Sequence, residues 1–304
     1  GNVIATAYLQ GTGLGPQAIF TPGILKSIPT DQGYLSDIAI DAQGSIYMPD
    51  YLTDKVLKET PSGAGYVQSI IPTSVIDPCG IAADGAGNLY ISDFLYTSGS
   101  EVMRILKETL TATGYVESVV PTSTVYYACS IKVDGSGNLY IEDWGNNRVL
   151  KETLTSGGGY TESTIPVSAL DGPEGIAVDA ARVVYIVDDG GTLWKETPVG
   201  GGGYAETTVP TSTLNNPVGV AVDAMGNVYV ADVFNDRVVK EMLGASGYSE
   251  SVITFNSGNP ETMAVDNRGN IYSLVYSSNY AVSNLLEEDF ADPPSLSFAA
   301  TAVG

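Results

Sequence analysis

The chain has 304 residues and a net charge of −22, with 35 acidic against 13 basic side chains and no histidine. A surface of that sign repels phosphate backbones and argues against nucleic acid as a partner; the missing imidazole excludes histidine bases and imidazole metal sites. Gly, Ser, Thr, Val, Ile and Tyr outweigh helix formers, which favours strands and turns, and no apolar run approaches the roughly 20 residues of a membrane helix.

Residues 1–22 read as an N-terminal arm. The chain opens at Gly1 with neither a methionine nor a signal peptide, and is expected to be a processed or excised piece of a longer protein. From Asp41 a short pattern recurs: DAQGSIY, then DGAGNLY at Asp84, DGSGNLY at Asp134, DAARVVY at Asp179, DAMGNVY at Asp223 and DNRGNIY at Asp266. The intervals are 43, 50, 45, 44 and 43 residues, the long one carrying extra residues in FLYTSGSEVMR. Each unit parses as four strands, exemplified by GIAVD from Gly175, NVYVAD from Asn227, RVLKET from Arg148 and GYTESTIP from Gly159, with turn residues at each joint. Four strands at a period of about 40–50 residues mark a β-propeller. The predicted fold is therefore all-β, a six-bladed β-propeller of four-stranded blades over residues 23–288. The sixth unit lacks a GYxESxIP strand, while GILKSIPT from Gly23 matches YVQSIIPT from Tyr66. The N-terminal strand is expected to complete the last blade and close the ring, burying both free edges. Residues 289–304, with two prolines, read as a linker and the start of a truncated following module.

GVAVDAMGNVYVADVFNDRV from Gly219 resembles an NHL repeat, and WGNNRVLKET from Trp144 resembles its continuation. The resemblance covers about residues 24–288. It weakens in the sixth unit, where Val275 replaces an aspartate, and in the fourth, which reads DDGGTLWKE. The resemblance implies a propeller that serves as an RNA-binding domain, an extracellular sensor domain or a lyase. The lyases of the family depend on histidines that this chain lacks, and its RNA binders use a basic face. The VLKET…GYxES style resembles tandem NHL proteins of soil bacteria, which implies an extracellular or cell-surface location. The expectation is a non-catalytic module, not an enzyme, that binds a protein, peptide or glycan without a cofactor. One alternative is a structural subunit of a surface layer or fibre, self-associating through its terminal arms. The other is a lactonase-like or other hydrolytic propeller enzyme using carboxylates and a divalent cation such as calcium.

The aspartates that end the second strands, Asp50, Asp93, Asp143, Asp188 and Asp232, suit backbone N–H capping in the following loops, a structural role. Positions at which the copies differ carry more information. Five residues before each opening aspartate stand Ser36, Cys79, Cys129, Glu174, Val218 and Glu261, expected to ring the mouth of the central channel. The two cysteines allow three readings: small buried residues, a disulfide between adjacent blades, or thiol ligands in a site with the glutamates, although their spacing matches no known metal pattern. After the second-strand aspartates come Tyr51, Phe94, Trp144, Asp189, Val233 and Tyr276, with Tyr126 and Tyr127 in a loop on the same face. Such aromatics either cap their own blades or form a binding face. On the second reading Tyr51, Phe94, Tyr126, Tyr127 and Trp144 stack on a ligand while Glu174 and Glu261 orient a polar or cationic group. Lys132 and Glu142 are the two charged exceptions in one hairpin, at positions otherwise small or apolar, and are expected to form an ion pair.

Overall fold

The computed structural model describes residues 24–30, 33–63, 65–97, 100–254, 258–276 and 283–289. The arm expected at 1–22 lies outside them, as does the tail beyond Asp289. Among the described residues the strands form six four-stranded antiparallel sheets. Blade 1 comprises Ala39–Ile40, Ile46–Asp50, Lys55–Ser62 and Gly65–Ile71. Blade 3 comprises Ile131–Val133, Leu139–Asp143, Arg148–Leu154 and Tyr160–Ile165. Blades 2, 4 and 5 start at Ile81, Pro173 and Pro217 and repeat the plan. Blade 6 takes Asn259–Val265, Ile271–Tyr276 and Ser283–Asp289, and the last of these pairs with Ile24–Ile28, from Ile24↔Asp289 to Ile28↔Leu285. The first strand of each blade touches that of the next, and the sixth touches the first, so the six innermost strands enclose a central channel.

The repeated pattern explains itself in the hairpins. Asp134 Oδ1 accepts the backbone N–H groups of Ser136 (2.8 Å) and Asn138 (3.0 Å), while Oδ2 accepts the Asn138 amide (2.7 Å) and the Tyr140 hydroxyl (3.3 Å). Asp84 and Asp223 do the same. One carboxylate thus fixes the turn and the rotamer of the tyrosine six residues on. Gly137 supplies the left-handed residue this turn requires (φ 79°).

The core lies between blades. Each hydrophobic cluster joins neighbouring sheets, as Tyr47 and Val56 of blade 1 meet Ile81, Leu89 and Leu106 of blade 2. The tyrosines are almost wholly buried, and the lysine of each KET segment sits over a ring, Lys151 at 5.3 Å from the Tyr140 centroid. Cys79 and Cys129 are joined by a disulfide between blades 2 and 3, with Cα atoms 4.9 Å apart. Of the three readings of these cysteines, that is the one the structure adopts.

Candidate functional site

The second-strand aspartates build the loops around the mouth. Asp143 is fully buried and accepts from the Tyr126 N–H (2.9 Å), the Asn146 amide and Arg148 Nε (2.7 Å). Arg148 in turn donates to the Thr124 carbonyl (3.1 Å), which anchors the segment arriving from blade 2. Asp232 with Arg237 and Asp93 with Arg104 repeat the arrangement. Asp50 instead takes the Thr53 hydroxyl, and Asp188 the Trp194 indole. These five side chains are spent inside the loops and hold the variable residues between them in place.

A cavity of about 500 Å³ opens at this mouth, lined by Asp37, Lys132, Glu142, Tyr127, Trp144 and Glu174 among others, with Val218, Val220 and Met263 as its apolar wall. The expected Lys132–Glu142 ion pair does not form. Lys132 lies opposite Tyr140, and the Glu142 N–H bonds the Ser130 carbonyl, so the two charges are offset by two positions across the hairpin. Lys132 reaches across the channel to Asp37 on blade 1, at 3.6 Å. Glu142 turns back onto the backbone, its Oε2 accepting the N–H groups of Cys129 (3.0 Å) and Ser130 (3.1 Å). In blade 2, Ser92 plays that part for Gly80 (2.8 Å). Glu142 therefore puts a carboxyl at the mouth where a sister blade has a hydroxyl. Burial raises its pKa well above the usual range, the charge of Glu174 adds to this, and the backbone donors oppose both.

Glu174 completes a group at the junction of blades 3 and 4. Its pKa is pushed up to about 7, first by burial and then by the charge and hydrogen bond of Asp189, with the Trp144 indole opposing. Trp144 opens a 3-10 turn, Trp144–Asn146, and its Nε1 donates to Asp189 Oδ2 at 3.2 Å. Gly172 (φ 59°) lets these groups meet, because a Cβ there would collide with the Asp189 carboxylate and crowd the indole nitrogen. Glu261 is also pushed up to about 7, by burial, but it lies beside Gly219 and does not line the cavity.

The aromatic residues form a continuous arc. Ring centroids run from Tyr276 to Tyr34 (5.2 Å), Tyr51 (6.1 Å), Phe94 (6.5 Å), Tyr127 (6.0 Å) and Trp144 (5.9 Å). Of these, Tyr127 and Trp144 line the cavity, while Tyr51 and Phe94 do not. Tyr126 stands outside the cavity, its carbonyl accepting the Gly145 N–H. Sequence reasoning missed Asp37 as a site residue. Its carboxylate accepts from the Ile38 and Ile81 N–H groups and the Thr262 hydroxyl, besides holding Lys132, so it ties four blades at the channel. The available signal was that the corresponding residues in other blades are Gly, Ser or Thr. Asp189 stands out in the sequence as a variable residue, but only the fold makes it the partner of Glu174. Among the described residues no group of three or more His, Cys, Asp or Glu side chains is placed to hold a metal ion.

Six four-stranded sheets around a channel with a functionalised mouth define a six-bladed β-propeller. Residues 214–240 match the family model of the NHL repeat, so at least one unit of the propeller is built on that repeat. No curated protein matches the chain. Among solved structures, it is similar to a gluconolactonase from Xanthomonas campestris, at 12% identity and a TM-score of 0.61, covering 90% of this chain and 99% of that one. It is similar to the PQQ-bound aldose sugar dehydrogenase from Streptomyces coelicolor, at 14% identity and a TM-score of 0.58, covering 88% and 99%. It is also similar to a streptogramin B lyase, at 14% identity and a TM-score of 0.56, covering 88% and 98%. At such identities the likeness is one of fold. The expectation of a chain that is not an enzyme is nevertheless withdrawn, because the same fold serves enzymes in these neighbours and gives no ground for excluding catalysis. The absence of histidine removes imidazole chemistry and leaves the carboxyl groups.

Proposed function

We propose that the protein is a hydrolase that opens an ester or lactone at the channel mouth with carboxyl groups as acid and base. The observation that carries this reading is the meeting of Glu174 with Asp189 beside the buried Glu142, where the Glu174 pKa is pushed up to about 7 and burial raises that of Glu142 well above the usual range. Glu174 takes a proton from water as the water oxygen bonds to the carbonyl carbon. Lys132, held by Asp37, faces the negative charge that develops on the carbonyl oxygen. Protonated Glu142 gives its proton to the leaving oxygen as the ester C–O bond breaks. The products are a carboxylic acid and an alcohol, and solvent restores the two glutamates. The fold likeness to a gluconolactonase supports a lactone as the first substrate class to try. The disulfide fits an oxidising compartment, and an extracellular location is part of the same reading.

The test is hydrolysis of a panel of sugar lactones and carboxylic esters by the wild-type protein and by Glu174→Gln. Turnover should fall by about 100-fold or more in the variant. Equal turnover by both proteins would overturn the assignment of Glu174, and no hydrolysis across the panel would overturn the reaction class.

A further inference from the structure

Tyr127 occupies an unusual place. Seven residues before the opening aspartate, blades 2, 4 and 5 carry Asp77, Gly172 and Asn216, all in the left-handed region (φ 45°, 59° and 55°). Asp, Gly and Asn are the residue types that tolerate this conformation. Blade 3 places Tyr127 there at φ 54°, with about half of its surface (52%) open to solvent. A bulky residue in that conformation is strained, and exposure means that burial in its own fold gives little in return. Its ring meets the Trp144 indole at 85° and 5.9 Å, and Trp144 is itself 40% exposed. When the edge of one ring abuts the face of another, the angle between them is a corner walled by two ring faces.

The surroundings of that corner are acidic, with Glu174 the group that gains charge as pH rises through about 7 and Glu142 its protonated neighbour. The cavity beneath it holds the Glu142 and Glu174 carboxyls, with Asp189 fixed by the Trp144 indole at the rim. The cation lining the same cavity, Lys132, is engaged by Asp37 on the far wall. Ring faces and carboxylates both attract a weakly hydrated cation. The net charge of −22 adds a long-range field that draws cations and repels anions.

We propose that the Tyr127–Trp144 corner above these carboxyls is a clamp for a substituted ammonium group, so that the ligands of this mouth carry a cationic nitrogen. The proposal rests on the same site as the hydrolytic reading but not on its chemistry. It names what the site holds, and binding can be measured without turnover.

The probe is choline, with its uncharged carbon isostere neohexanol as control, titrated into the whole protein and followed by calorimetry and tryptophan fluorescence. Choline should bind at least about tenfold more tightly than neohexanol, the difference expected when two ring faces and a carboxylate act on one charge. Tyr127→Asn copies the residue that blade 5 uses at this position, so it is compatible with the fold. It should weaken choline about tenfold while raising Tm by about 1–3 °C as strain is relieved. Equal affinity for choline and neohexanol, or an unchanged choline affinity in Tyr127→Asn, would overturn the clamp. So would a lower Tm in that variant, which would make Tyr127 a packing residue. Choline binding without any ester or lactone hydrolysis would sink the hydrolytic reading and leave the clamp standing. Hydrolysis of uncharged lactones with no preference for choline would do the reverse.

Discussion

Individual residues depart from the repeat in two ways, one structural and one chemical. Arg182 is the structural kind. It stands where five other hairpins have glycine and adopts the same left-handed conformation (φ 65°). Its Cβ is strained there, and its side chain is exposed. Arg182→Gly should therefore stabilise the protein by about 1 kcal/mol in denaturant unfolding; a destabilised variant would mean that the side chain has a stabilising role of its own. Glu142 is the chemical kind. The sequence marks it as an exception but not what it does. Its partners are backbone groups of the neighbouring strand end, and such groups leave no mark on side-chain identity. Lys132 is legible as an exception but is assigned the wrong partner, Glu142, for a related reason: its true partner, Asp37, lies across the channel, two blades away in the chain.

Strand pairs carry a second regular feature. In blades 2 to 5 a buried glutamate of the third strand faces a glutamate of the fourth, as Glu108↔Glu117, Glu152↔Glu162, Glu196↔Glu206 and Glu241↔Glu250. The outer member caps a serine of the incoming loop, Glu117 accepting from both the Ser74 N–H (2.9 Å) and its hydroxyl (2.6 Å). The inner member is at most 1% exposed. Burial, and after it the facing glutamate, push each inner carboxyl up to about 7. Blade 1 puts Gln68 opposite Glu59 in place of the second carboxylate. A carboxyl whose pKa is raised on folding binds more protons in the native state than in the unfolded one. Its stabilisation is complete below the ordinary glutamate pKa and is lost as pH rises through about 7. Thermal melting should thus give a higher Tm at about pH 5 than at about pH 8. A Tm that is flat or rising over that interval would show that these pairs are not protonated in the fold. The KET and GYxES segments were legible as strands, but their pairing as proton-sharing glutamates depends on register, which the sequence leaves open to a shift by two.

At the scale of the whole molecule, the repeat made the architecture readable. One hairpin motif, D-x-x-G-N-x-Y in four blades with variants in the first and fourth, specifies a turn, a buried tyrosine and a strand phase at once, and its six copies produce a ring. The site was readable only in part. The aromatic and acidic positions stood out because copies of one unit differ there. Which of them converge was hidden, since the ring brings Asp37, Glu142 and Glu174 together from three blades, while Glu261 on a fourth stays outside the cavity. The chemistry proposed for the mouth depends on one property of that convergence, a carboxyl group that exchanges its proton near neutral pH. Carbon NMR titration of glutamate-labelled protein measures it directly, with Glu174→Gln identifying the resonance. The expected midpoint for Glu174 is about 7. Titration of that resonance in the ordinary glutamate range, about 4–5, would contradict the proposed mechanism.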